Sequence, residues 1–165
     1  MNLNHNTRRH LVALTVATAG ILAAAGPTSA KAPEPLTLQA VNGTAHADGT
    51  GSLPSVEVTY PYSKRPRTAS GSFSLRTDDG TFPAAEHCEQ ATAVVEIMGD
   101  QKMQMTLSAT GTVCGRWPAD ETAPPIQNFV GRYTVVDGPG RFAGDDGFLN
   151  IMIGDGWSYL FAIDT

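Results

Sequence analysis

The residues able to do chemistry are few, and they are scattered. Cys88 and Cys114 are the only cysteines. They lack the CxxC spacing of a zinc cage, and in an exported chain an even pair reads as a disulfide, which leaves no thiolate nucleophile. Beyond the first thirty residues the only histidines are His46 and His87, neither in a catalytic motif. His87 adjoins Cys88 without a second ligand near it. Glu57 and Glu96 fall within strand-like runs, where a buried carboxyl would have a raised pKa. Alternation turns Glu96 to solvent. Glu57 lies outward with Ser55 and Thr59, or inward if the interior is polar. Asp137, Asp145, Asp146 and Asp155 are hard oxygen donors, but no calcium-loop spacing joins them and aspartate is itself a favoured turn residue. No bound cofactor and no metal is implied by any of these residues.

A second group suits binding. Met103, Met105 and Leu107, with Phe129, Tyr133 and Trp157, form an apolar set that lines a ligand cavity if the fold is hollow and a packed core if it is not. Methionines adapt to irregular ligands. Lys64-Arg65-Pro66-Arg67, the one basic cluster, reads as a solvated loop and a candidate surface for a protein partner.

The elements that must position these residues have a period of two. Met103, Met105, Leu107, Ala109, Gly111 and Val113 alternate with Gln104, Thr106, Ser108, Thr110 and Thr112, the pattern of a half-buried antiparallel strand. Ala91, Ala93, Val95 and Ile97 alternate likewise, with Gly99-Asp100 as the turn between the two runs. Pairing Val95 with Leu107 places Cys88 opposite Cys114. A disulfide then staples the open end of this hairpin, or forms from the flanking loops if directly opposed cysteines are too strained. Further strands are expected at 36–47, 55–60, 69–75, 128–136, 147–153 and 157–163, separated by turn clusters at 48–51, 78–80, 137–140 and 154–156. Residues 119–125 form a Pro-rich connection. About eight short strands in a meander predict an all-β, antiparallel, up-and-down barrel, in which closure removes exposed edges. A β-sandwich is the alternative.

The N-terminus reads as an export signal. Arg8 and Arg9 precede a mostly apolar run from Leu11 to Gly26, and Thr28-Ser29-Ala30 supplies small residues for cleavage. The run is shorter than the roughly 20 residues a membrane span needs. The paired arginines and the mild hydrophobicity suit a twin-arginine signal. The organisation expected is a signal peptide over 1–30, a disordered Pro-rich stub over 31–35 and one barrel domain over 36–165, secreted and not integral to a membrane after cleavage. The whole chain carries a net charge of −5; without Arg8 and Arg9, 9 basic residues face 16 acidic ones. That balance argues against nucleic acid as a partner.

The C-terminal third carries a more particular pattern: Phe129-Val-Gly131-Arg-Tyr133, then Gly138-Pro-Gly140-Arg-Phe142-Ala-Gly144, then Gly147-Phe-Leu149 and Tyr159-Leu-Phe161. It resembles the end of the allene oxide cyclase and dirigent group of β-barrels, over about 35 residues. Gly138 and Gly140 are expected at positive φ in a tight turn, with Phe142 tucked beneath it and Gly144 and Gly147 permitting a second bend. Pro139 stands where that group has Thr or Ser, Asp145-Asp146 replaces smaller residues, and no counterpart of the cyclase site is found in the first half. The resemblance therefore implies an eight-stranded barrel able to form a homo-oligomer, a trimer in that group, and does not imply the reaction. Three functions follow: binding of a small apolar ligand or a structural role outside the cell, steering of a reactive intermediate, or service as a protein-interaction or inhibitor domain.

Overall fold

A computed structural model describes residues 36–59, 65–100, 103–117 and 123–164. The predicted signal peptide, the stub and Lys64 lie outside them. Eight antiparallel strands follow one another: β1 (Thr37–Ala45), β2 (Thr50–Thr59), β3 (Arg67–Thr77), β4 (Cys88–Met98), β5 (Met105–Arg116), β6 (Ile126–Asp137), β7 (Asp146–Gly154) and β8 (Trp157–Asp164). Each pairs with its neighbour in sequence, and β1 pairs with β8, so the sheet closes into an up-and-down barrel.

The period-two pattern does this work. In β4, Ala91, Ala93, Val95 and Ile97 point inward and are buried, while Thr92, Val94, Glu96 and Met98 point outward. The inward residues of all eight strands form one core cluster with Phe142 and Met103. Each large side chain removed from water in this way contributes about 1.5–3 kcal/mol. The β4–β5 register is the one the sequence predicts, Val95 opposite Leu107 and Cys88 opposite Cys114, and the two cysteines are bonded to each other. Gly111 and Gly131 face each other across β5 and β6, where a Cβ on either would collide with the opposing backbone.

Several boundaries differ from expectation. Strand β2 starts at Thr50, five residues before the predicted start, because the turn needs only residues 46–49. Gly49 there takes φ +82, and Asp48 Oδ1 accepts hydrogen bonds from the Thr50 amide (3.0 Å) and hydroxyl (2.7 Å). Pro54 sits where the β2–β3 register shifts between Leu53 and Val56, a place where a missing N–H is tolerated. Met103 belongs to the β4–β5 turn, yet its side chain is buried in the core.

The glycine-rich segment between β6 and β7 departs from prediction at two positions. Gly138 and Gly140 do not take positive φ; Gly144 does, at +83. Phe142 N–H donates to the Pro139 carbonyl (2.8 Å), closing a turn whose central residues, Gly140 and Arg141, need no left-handed backbone. Gly138 has a different reason: a Cβ there would press to 3.1 Å from the Met105 Cβ and 3.2 Å from the Val135 Cγ1. Phe142 is buried beneath the turn as expected, with the Arg141 guanidinium 4.6 Å from its ring centroid.

Candidate functional site

The barrel has two dissimilar ends. Connections β2–β3, β4–β5 and β6–β7 lie at one, with Phe142 plugging it. Connections β1–β2, β3–β4, β5–β6 and β7–β8 lie at the other, where Phe82 packs half-buried against the core.

The apolar set predicted to line a cavity divides. Met103, Met105, Leu107, Phe129 and Tyr133 come together inside the barrel, none more than 3% exposed. Trp157 does not join them. In β8 the inward positions are Ser158, Leu160 and Ala162, so Trp157 points out, and its indole lies over Gly154 across the β7–β8 turn. Glu57 and Glu96 are both outward and exposed, which removes the reading of Glu57 as an interior acid.

At the Phe142 end one interior polar group stands out. The Tyr133 hydroxyl is buried without a hydrogen-bond partner among the described residues. Burial raises its pKa above the usual phenol range, and the negative charges of Asp164, Asp145 and Asp146 add to the effect. Asp145 itself is raised, by burial first and then by Asp164 and Asp146, and its Oδ2 is also buried without a partner. Asp146 faces outward to Arg132 at 2.8 Å. Asp155 lies at the opposite end, so the turn aspartates do not gather, and among the described residues no three metal-ligating side chains are arranged to hold an ion.

At the Phe82 end a hollow of about 300 Å³ opens between the strand ends. Its walls are Ala45 at the end of β1, His46 and Ala47 from the β1–β2 turn, Phe82, Pro124 and Pro125 before β6, Gln127, and Ile153 to Gly156 around the β7–β8 turn. Phe82, Ala45 and Ile153 pack with or against the core, so part of the lining is apolar. Gln127 is the exception. It occupies an inward position of β6, is 8% exposed, and donates its Nε2 to the Pro83 carbonyl at 3.1 Å. Its Oε1 is buried and has no donor among the described residues. Hollows also lie on the outside: against β2, β3 and β4 around Ser72 and Glu96, beside the disulfide, and among the aspartates of the β3–β4 turn. Neither these nor the hollow at the Phe82 end draws on the five buried side chains above.

The sequence reading missed this site because residues 119–125 read as a plain connection and β6 was expected to start at Asn128. A start at Ile126 gives the signal: Gln127 then shares a face with Phe129, Gly131 and Tyr133, and a polar side chain on an interior face needs a reason.

Comparison with protein-family models, with curated proteins and with solved structures gave no match.

Proposed function

We propose that this is an exported binding barrel that takes a small, largely apolar molecule in the hollow at its Phe82 end. The observation that carries the reading is that hollow: lined in part by Phe82, Ile153, Ala45 and the prolines, set on strand ends that the closed ladder holds, and at the small end of the volumes that ligand pockets span. Export is supported by the N-terminal pattern and by a disulfide that persists in an oxidising compartment. The test is titration with a fluorescent apolar probe such as 2-naphthol, on the wild type and on Ala47→Trp. Ala47 is exposed on the rim, so the variant should fold normally while its indole fills the hollow. Saturable binding lost in Ala47→Trp supports the reading; binding unchanged in the variant sinks it.

A second reading, steering of a reactive intermediate in the manner the cyclase and dirigent resemblance implies, is favoured by the unpartnered Tyr133 hydroxyl in the interior. In such a barrel the shape of the cavity supplies the orientation. Loss of turnover in Tyr133→Phe, at unchanged stability, on any substrate found would support it.

A further inference from the structure

The disulfide and the hollow at the Phe82 end share one short segment of chain. Phe82 forms part of the wall, and the Pro83 carbonyl beside it accepts the Gln127 Nε2 hydrogen at 3.1 Å. Residues 83–87 then run to Cys88, packed against the end of β5. The Glu86 N–H donates to the Gly115 carbonyl and the Gly115 N–H to the His87 carbonyl, both at 2.9 Å. Ala85 and Gly115 form an isolated bridge, and a Cβ on Gly115 would collide with the Pro83 and Ala84 carbonyls. Cys88 directly follows this segment and Cys114 directly precedes Gly115, so the disulfide clamps the junction. Glu86 within it holds left-handed backbone, φ +66, which a residue bearing a Cβ keeps only where its surroundings impose it.

The bond is also open to attack. Cys88 is exposed and Cys114 half-buried, and both line a surface hollow with Glu86, Gly115, Arg116 and Trp117. Exposed disulfides are among the exchangeable ones. Arg116 lies two positions past Cys114 on the same outward face of β5, and a nearby guanidinium favours departure of a cysteine as thiolate.

We propose that Cys88–Cys114 is a redox latch on the wall of the hollow, opened by a dithiol. One thiolate of the dithiol attacks the Cys88 Sγ; a mixed disulfide forms as the Cys88–Cys114 bond breaks, and Cys114 leaves as a thiolate beside Arg116. The second thiolate then attacks its partner sulfur in the mixed disulfide, which releases Cys88 as a thiolate and the dithiol as its own disulfide. Two electrons pass from the dithiol to the protein, and the two cysteine thiolates take up protons from solvent. Side-chain alternation keeps the β4–β5 register, but residues 83–87 lose their clamp and the Phe82 wall loosens. The effect on the segment stands by itself; the effect on binding rests on the reading of the hollow as a site.

Dithiothreitol is the test reductant, applied to the full disulfide-bonded protein without denaturant. Thiol release should be complete, at a rate that rises in proportion to the reductant, and Arg116→Gln should slow it by about 3-fold. The reduced protein should keep its far-ultraviolet circular dichroism spectrum. Backbone order parameters of Glu86, His87 and Gly115 should fall from about 0.85 to below about 0.6, while those of Leu149 and Leu160 hold. 2-Naphthol should bind the reduced form about 5-fold more weakly, as the closed wall becomes less populated. A reduction rate that stops rising with reductant would mean that the bond is reached only through unfolding, and would overturn the proposal. So would unchanged order parameters at residues 86, 87 and 115, or a reduced chain that unfolds altogether. If the order parameters fall and neither form binds 2-naphthol, the latch stands and the binding reading falls.

Discussion

Cys88 and Cys114 face each other directly across β4 and β5, their Cα atoms 4.1 Å apart, in the same register that sets Val95 against Leu107. The bond therefore reinforces a pairing that the side-chain alternation already specifies.

It follows that the disulfide adds stability without defining the fold. The two cysteines are 26 residues apart, and closing a loop of that length should stabilise the protein by roughly 3 kcal/mol through the unfolded chain. The Cys88→Ala/Cys114→Ala double variant should give a lower denaturant midpoint and an unchanged far-ultraviolet circular dichroism spectrum in water. Loss of the native spectrum would mean that the bond sets the register.

The glycines of the β6–β7 segment should respond in opposite ways to alanine. Gly144, at φ +83, should lose about 1 kcal/mol as Gly144→Ala. Gly140 has ordinary φ and open space around a built Cβ, so Gly140→Ala should be neutral or gain about 0.4–1 kcal/mol by restricting the unfolded chain. Thermal melts of the two variants side by side decide the matter; equal losses would mean that both positions need left-handed backbone.

Tyr133→Phe removes a buried hydroxyl that has no partner and keeps the ring in the core. Stability should hold or rise by up to about 1 kcal/mol, since the folded state no longer desolvates an unmatched group. A loss above about 1 kcal/mol, read from urea unfolding, would show that the hydroxyl is satisfied in solution.

Asp145 gives a pH dependence of known sign. Its folded-state pKa is raised, by burial foremost and then by Asp164 and Asp146, so the folded protein prefers the neutral carboxyl. The favourable contribution is complete below the unfolded pKa and disappears as pH rises through the folded value. Asp145→Asn should therefore be more stable than the wild type at pH 7, with the difference shrinking towards pH 3. A gain that grows on acidification would contradict this.

The fold was legible because one face of nearly every strand is apolar and the other is Ser, Thr or charged. Val95, Leu107 and the two cysteines fix a ladder from sequence alone. Features that depend on which connections meet were not legible. Phe82 and Gln127 are 45 positions apart, and only closure of the barrel brings the β3–β4 connection over β6. Trp157 misled because a large apolar residue at a strand start reads as core, while the alternation that assigns it outward is set by Ser158, a small hydroxyl buried at 1% exposure. Gly138 and Gly140 misled because glycine is needed equally for a left-handed turn and for a close approach, and only the position of Met105 tells them apart.

The β1–β8 ladder carries a consequence for how the chain acquires its shape. Every other seam joins neighbours in sequence, but this one joins Thr37 to Ile163, so the sheet cannot close until its last strand is available. Synthesis at roughly 5–20 residues per second separates those two residues by on the order of ten seconds. During that interval β1 offers an unpaired edge to any passing strand. A nascent chain of this kind stays open longest at its two ends. Under the export proposed above, a threading translocon exploits that delay, whereas passage of the folded form waits for the final eight-residue strand to dock.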